Sequence, residues 1–160
     1  MRGFGQLNLL QQIILKFSSN LKALDEVLNW FEQLNQPSIP KKDWLQCQLA
    51  LAEGFTNAVR HAHKGLPDDT LIEVVAILYD DRIEIQVRDG GPPFDLETEI
   101  AKQLDQPEKH KQPEKFKGGG RGLIILSKIA DCLTYRRTED NRNCLKIVRF
   151  YSPIKSEPVL

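Results

Sequence analysis

No stretch of this chain is apolar for long enough to cross a bilayer, and its first residues, Met1-Arg2-Gly3-Phe4-Gly5, lack the layout of a secretory leader. The expectation is a cytoplasmic protein. Net charge is missing too: 22 basic and 22 acidic side chains balance, so no overall field draws the chain to nucleic acid or to an anionic membrane. Cysteine is scarce. Cys47, Cys132 and Cys144 are odd in number, widely separated and without a CxxC or Cys/His spacing, which excludes a disulfide scaffold or zinc ribbon and leaves reduced core thiols as the reading. There is no internal repeat, no GK[ST] ending of a P-loop, and no strand leading into the glycine run at 118–122 as a dinucleotide fingerprint needs. With 160 residues and 41% hydrophobic content, what remains is one domain with a real core.

What is present is organised around residues 49–62, LALAEGFTNAVRHA. Side chains four apart on an α-helix differ by only about 40° around its axis, so Glu53, Asn57 and His61 form one polar stripe and can serve a common ligand. Leu45, Leu49, Leu51, Phe55, Ala58 and Val59 supply the rest of the circumference. Most of that surface is expected to be buried, and a buried polar stripe needs a polar partner.

Upstream, Asn8 to Phe17 is β-prone, and Ser18-Ser19-Asn20 can start a helix whose Leu21, Leu24, Val27, Leu28 and Phe31 share a face. Pro37 and Pro40 break the chain before the stripe-bearing helix, expected over Lys41 to Lys64 and closed by Gly65. Leu71 to Tyr79 and Arg82 to Arg88, joined at Asp80-Asp81, read as a hairpin, because Ile83, Ile85 and Val87 alternate strictly. Asp89-Gly90-Gly91-Pro92-Pro93-Phe94-Asp95 then stops the second strand. A long polar segment follows, a lid at about 92–119 with a short helix over Asp95 to Gln103. An apolar helix, Leu123 to Ala130, precedes strands near Cys132 to Thr138 and Cys144 to Tyr151, and Ser152 to Leu160 reads as a frayed tail. The expected class is α+β: a two-layer sandwich, with a mixed, mostly antiparallel sheet and helices on one face, forming a single domain over 1–152.

Each polar group has an ordinary use as well as a chemical one. Glu53 can pair locally, Asn57 can bond a neighbouring loop, and His61 can be a solvated helix end. Asp89 before Gly90 is a common turn former. Gly118-Gly119-Gly120-Arg121-Gly122 can be a flexible loop exit, or it can offer backbone amides and a helix N-terminus to a phosphate, with Arg121 adding charge. Lys109, His110, Lys111, Lys115 and Lys117 read as a solvated lid surface from which a lysine can swing onto a phosphate.

Taken together, Glu-x-x-x-Asn-x-x-x-His at Glu53, Asn57 and His61, Asp-x-Gly-x-Pro-Phe-Asp at Asp89 to Asp95, and Gly-x-Gly-Leu at Gly120 to Leu123 resemble the N, G1 and G2 boxes of the GHKL ATP-binding fold. Within it, AEGFTNAVRHAHKG, VRDGGPPFD and GGGRGLIILSKIAD are similar to anti-sigma-factor serine kinases of the RsbW and SpoIIAB type. The resemblance implies ATP and Mg²⁺ as cofactors, with Asn57 as the magnesium ligand and Glu53 as the general base for a partner's serine hydroxyl. It also implies that Asp89 accepts a hydrogen bond from the adenine amine, that Gly91 leaves room for the base, and that Gly118, Gly120, Gly122 and Leu123 meet the phosphates, with Arg121 a further contact. His61 would line the phosphate side or orient the helix end.

The implied partners are a sigma factor and an anti-sigma-factor antagonist of STAS type, with a homodimer through the edge at Asn8 to Phe17 and no direct nucleic-acid or membrane contact. Two other readings stay open. One is a nucleotide-binding module that sequesters a partner without catalysis. The other is the ATP-binding half of a histidine kinase, although residues 1–40 hold no histidine to accept phosphate. One departure is visible. Relatives often carry Gly-Thr before the last strand, where the threonine helps hold adenine; here the place reads Asn141-Arg142-Asn143-Cys144, with Thr134 or Thr138 as the substitute.

Overall fold

The computed structural model describes residues 8–105 and 121–155. Strand β1 (Leu9–Ser18) leads through a 3-10 turn, Leu21–Ala23, into helix α1 (Leu24–Phe31). Asn20 starts that turn by accepting a bond from the Lys22 amide at 3.0 Å, as its short side chain suits a helix N-cap. Helix α2 spans Lys41–Asn57, and strands β2 (Leu71–Tyr79) and β3 (Arg82–Asp89) form the expected hairpin. Helix α3 (Leu96–Leu104) is capped by Asp95, which accepts from the Thr98 amide. Helix α4 (Gly122–Ile129), β4 (Cys132–Arg137) and β5 (Asn143–Phe150) complete the described elements.

The five strands run in the order β1-β2-β3-β5-β4, and every pairing is antiparallel. After β3 the chain leaves the sheet, passes through α3 and α4, enters at the far edge as β4 and returns inward as β5. That detour sets the end of β3 against the start of β5, so that Asp89 faces Asn143 in register.

One sheet face carries the helices. Ile72, Val74, Ala76 and Leu78 of β2, Ile83, Ile85 and Val87 of β3, and Leu145 and Ile147 of β5 form a core with Trp44, Leu51 and Phe55 of α2. Alternation places these residues on one side of the pleat, and full burial of a side chain such as Leu51 or Phe55 contributes about 2–3 kcal/mol. Gly54 lets α2 lie close on the sheet, since a Cβ there would stand 3.3 Å from Val87 Cγ2. This is the anticipated two-layer α+β arrangement.

Four local expectations need correcting. Leu45 and Leu49 are 51% and 42% exposed. They share the four-residue stripe of Glu53, and that stripe faces away from the sheet along its first turns. Cys132, expected in the core, is exposed at the start of the edge strand β4, whereas Cys47 and Cys144 are buried. Helix α2 does not run regularly to Lys64: after Asn57 it widens into a π-helical turn over Ala58–Ala62 and ends at His63, with Gly65 at φ 83°. Such widened turns collect at functional sites. Ser152–Lys155, the described part of the expected tail, is tied down, because the Ile154 amide donates to Ser38 O at 2.8 Å.

Candidate functional site

The α2 stripe opens onto a cavity of about 310 Å³ walled by Asn57, His61 and Ala62 from α2 and its widened turn, Pro92, Pro93 and Phe94 from the loop after β3, Glu99, Lys102 and Gln103 of α3, and Leu123 of α4. Glu53 stands beside this cavity. A Cβ on Gly122, the neighbour of wall residue Leu123, would come within 2.8 Å of Glu53 Oε2, so glycine there lets a carboxylate lie against the start of α4. Burial pushes the Glu53 pKa above its ordinary 4.5, against the pull of the Arg60 charge. A carboxylate so placed is suited to taking a proton from a hydroxyl.

At the other end of the site lies the turn Asp89-Gly90-Gly91. Asp89 is only 6% exposed, and its Oδ1 accepts from the Gly91 amide at 2.9 Å and from Asn143 Nδ2 at 2.8 Å. No described residue donates to Oδ2. A buried carboxylate fixed through one oxygen, with the other left over, is an acceptor for a ligand's N–H. Gly91 is obligatory: a Cβ there would stand 2.3 Å from Ala62 O.

Of the residues singled out in the sequence, Asn57, His61 and Leu123 share the cavity wall, and Glu53 meets Gly122 beside it. Asp89 and Gly91 form the turn that backs on Ala62, itself a wall residue. Arg121 is exposed, one residue before α4. Gly118, Gly120 and the lid residues Lys109, His110, Lys111, Lys115 and Lys117 lie outside the described residues. Among the described residues, no three His, Cys, Asp or Glu side chains converge into a metal cage. The Asn57 amide in the cavity wall is an oxygen donor that a hard cation could use together with phosphate and water, as Mg²⁺ commonly does.

A family profile of the histidine kinase-like ATPase domain matches residues 17–149, from the end of β1 into β5 and across the whole site. The chain belongs to that family. Serine-protein kinase RsbW of Listeria monocytogenes serotype 4a is 37% identical over 84 residues, 52% of each chain. The Listeria innocua protein of the same name is 36% identical over 84 residues, again 52% of each, and that of Staphylococcus aureus strain MSSA476 is 31% identical over 87 residues, 54% of each. The matched part thus spans about half the length of these relatives.

In this histidine kinase-like ATPase domain, three site residues escaped the sequence reading. The first is Asn143, which is 1% exposed and, unlike Thr134 and Thr138, bonds Asp89 directly. Its Nδ2 is shared among Asp89 Oδ1, Gly91 O and Pro92 O at 2.8–3.1 Å, while its Oδ1 accepts from Arg137 Nη1 at 2.8 Å and from the Tyr135 hydroxyl. Thr138 bonds Asp140 and Arg142 instead, and Thr134 is exposed. The only signal in the sequence was position, the residue that opens the last strand. The second is Gln103, whose Oε1 accepts from the Leu123 and Ile124 amides at 3.0 and 3.3 Å. Those amides belong to the first turn of α4 and have no partner within the helix, so the neutral Gln103 carbonyl caps them. The third is His63, buried two residues after the exposed His61.

Proposed function

We propose that the chain is an ATP-dependent protein serine/threonine kinase and anti-sigma factor, which binds a sigma factor and phosphorylates a STAS-type antagonist on serine. The observation that carries this reading is the Glu53 carboxylate, partly buried and with a raised pKa, lying against Gly122 beside the cavity that Asn57, His61 and Leu123 line. A module that only holds nucleotide has no use for a base in that position. The names of the RsbW relatives, which match over about half the chain, point the same way.

On this reading, Asp89 Oδ2 accepts the adenine amine and Gly91 leaves space for the ring. The Asn57 amide oxygen would hold Mg²⁺, which would supply neutralisation of phosphate charge. Gly118, Gly120, Gly122 and Leu123 offer backbone contacts to the phosphates, Arg121 adds a cation, and His61 lines the phosphate side. Glu53 orients the acceptor serine and takes its proton as the phosphoryl group transfers. Residues 1–152 form the catalytic domain with its lid at 92–119. The exposed Leu9, Leu10, Ile14 and Leu15 of edge strand β1 fit a homodimer in the cytoplasm.

The test is recovery of partners from the source cytoplasm with and without ATP and Mg²⁺, followed by phosphosite mapping and repetition with Glu53→Gln. Serine label on a recovered antagonist that vanishes in the variant is the expected result. Nucleotide binding and partner capture with no label from either protein would replace the kinase by a sequestering module.

A further inference from the structure

The widened turn at the end of α2 delivers one more histidine to the Asp89–Gly91 turn. His63 is 3% exposed. Its Nδ1 lies 2.9 Å from Ser19 Oγ, just past the end of β1, and its Nε2 accepts from the Gly90 amide at 2.9 Å. Gly90 sits between Asp89 and Gly91. The ring therefore ties three parts of the chain, residues 19, 63 and 90, and holds the turn that carries Asp89.

An imidazole can make this pair of bonds in only one form. Because Nε2 accepts, the ring proton is on Nδ1 and is donated to Ser19. Adding a second proton turns Nε2 into a donor facing another donor, and among the described residues the Gly90 amide has no other acceptor. Ser19 on the β1 side is uncharged, and the charged group acting on the ring is Asp89 at the end of β3.

We propose that His63 is a positioning residue that holds the Asp89–Gly91 turn in its adenine-accepting place, and that protonating its ring releases the turn. The inference rests on the adenine reading of Asp89 but not on kinase activity. Adenine nucleotide affinity then falls on acidification by a route peculiar to this side chain. Burial opposes the charged ring and Asp89 favours it, with burial the larger effect, so the clamp is closed at neutral pH and opens on the acid side.

The experiment is calorimetry of ADP with Mg²⁺ on the full chain at about pH 8 and about pH 5.5, a window that spans histidine titration. Wild type is compared with His63→Gln, whose carbonyl can still accept from Gly90 but cannot titrate, and with His63→Leu, which cannot accept. Asp89 and the ionising nucleotide phosphates are common to all three. Wild type should lose about tenfold more affinity than His63→Gln across the window, and His63→Leu should bind weakly at both ends. Parallel loss in wild type and His63→Gln overturns the proposal. Where a variant fails to fold, nitrogen NMR of ligand-free wild type decides. The ring should carry its proton on Nδ1 at about pH 8, and the Gly90 amide should shift together with its titration. A proton on Nε2, or a Gly90 amide indifferent to the ring, also overturns it. No nucleotide heat from wild type at about pH 8, with the NMR coupling intact, would refute the adenine reading and leave the His63–Gly90 clamp in place.

Discussion

Replacing Gly91 by alanine should wreck the Asp89–Gly91 turn, while the same change one residue earlier should be tolerated. A Cβ at Gly91 would lie 2.3 Å from Ala62 O, 2.8 Å from its carbonyl carbon and 2.9 Å from its Cα. Ordinary non-bonded separation is about 3.5 Å, so about 1 Å must be made up. All three obstacles are backbone in the widened turn, and no side chain can swing aside. Overpacking of this kind costs about 3 kcal/mol, which lowers Tm by about 6–12 °C in a chain of this size. Moving the turn by that much also lengthens the bond Asp89 would make to adenine. Losing a hydrogen bond to a charged group costs about 1.5–3 kcal/mol, or about ten- to a hundredfold in Kd. A Cβ at Gly90, by contrast, would meet only His63 Nε2 at 3.9 Å, an ordinary contact. Thermal melts and ADP calorimetry on the two variants read both effects. A Gly91→Ala protein with wild-type Tm and an affinity within about twofold of wild type would refute the reasoning.

Glu53→Gln should cut phosphoryl transfer by at least about a hundredfold without lowering Tm. Burial raises the Glu53 pKa in the fold, so its contribution to stability is present at low pH and lost as pH rises through that value; a clear loss of Tm at neutral pH would contradict this. Asn143→Ala removes the shared donor to Asp89, Gly91 and Pro92 and should cost about 2–4 kcal/mol in urea unfolding together with most nucleotide affinity. Gln103→Ala frees the Leu123 and Ile124 amides and should tighten nucleotide binding a few-fold; weaker binding would show that Gln103 assists the ligand instead of standing in for it. Burial holds the His63 pKa below 6.5. The unfolded chain therefore takes up a proton first, and stability present above about pH 6.5 declines as pH falls through the folded value. Urea midpoints should drop across that range in wild type and stay flatter in His63→Gln.

Much of the site could be read from local spacing. The four-residue rhythm placed Asn57 and His61 in one cavity wall, with Glu53 beside it, and the alternation of Ile83, Ile85 and Val87 announced a half-buried strand. The same rhythm misjudged Leu45 and Leu49, because a periodicity says which residues share a stripe and not which way the stripe faces. His61 and His63 are two residues apart, yet one is exposed and the other buried; the widened turn between Asn57 and His63 follows no rule of residue type.

By itself the sequence determined the elements, the polar stripe and the glycines before α4, since each is a property of neighbours along the chain. Only the tertiary structure decided what orients Asp89. Asn143 lies 54 residues away from it and His63 is 27 from Gly90, and they meet because β5 enters the sheet beside β3 and α2 ends against the turn. Hydrogen-bond partners of a buried polar group are set by which backbones the core brings together, and that is a property of the whole packed sheet.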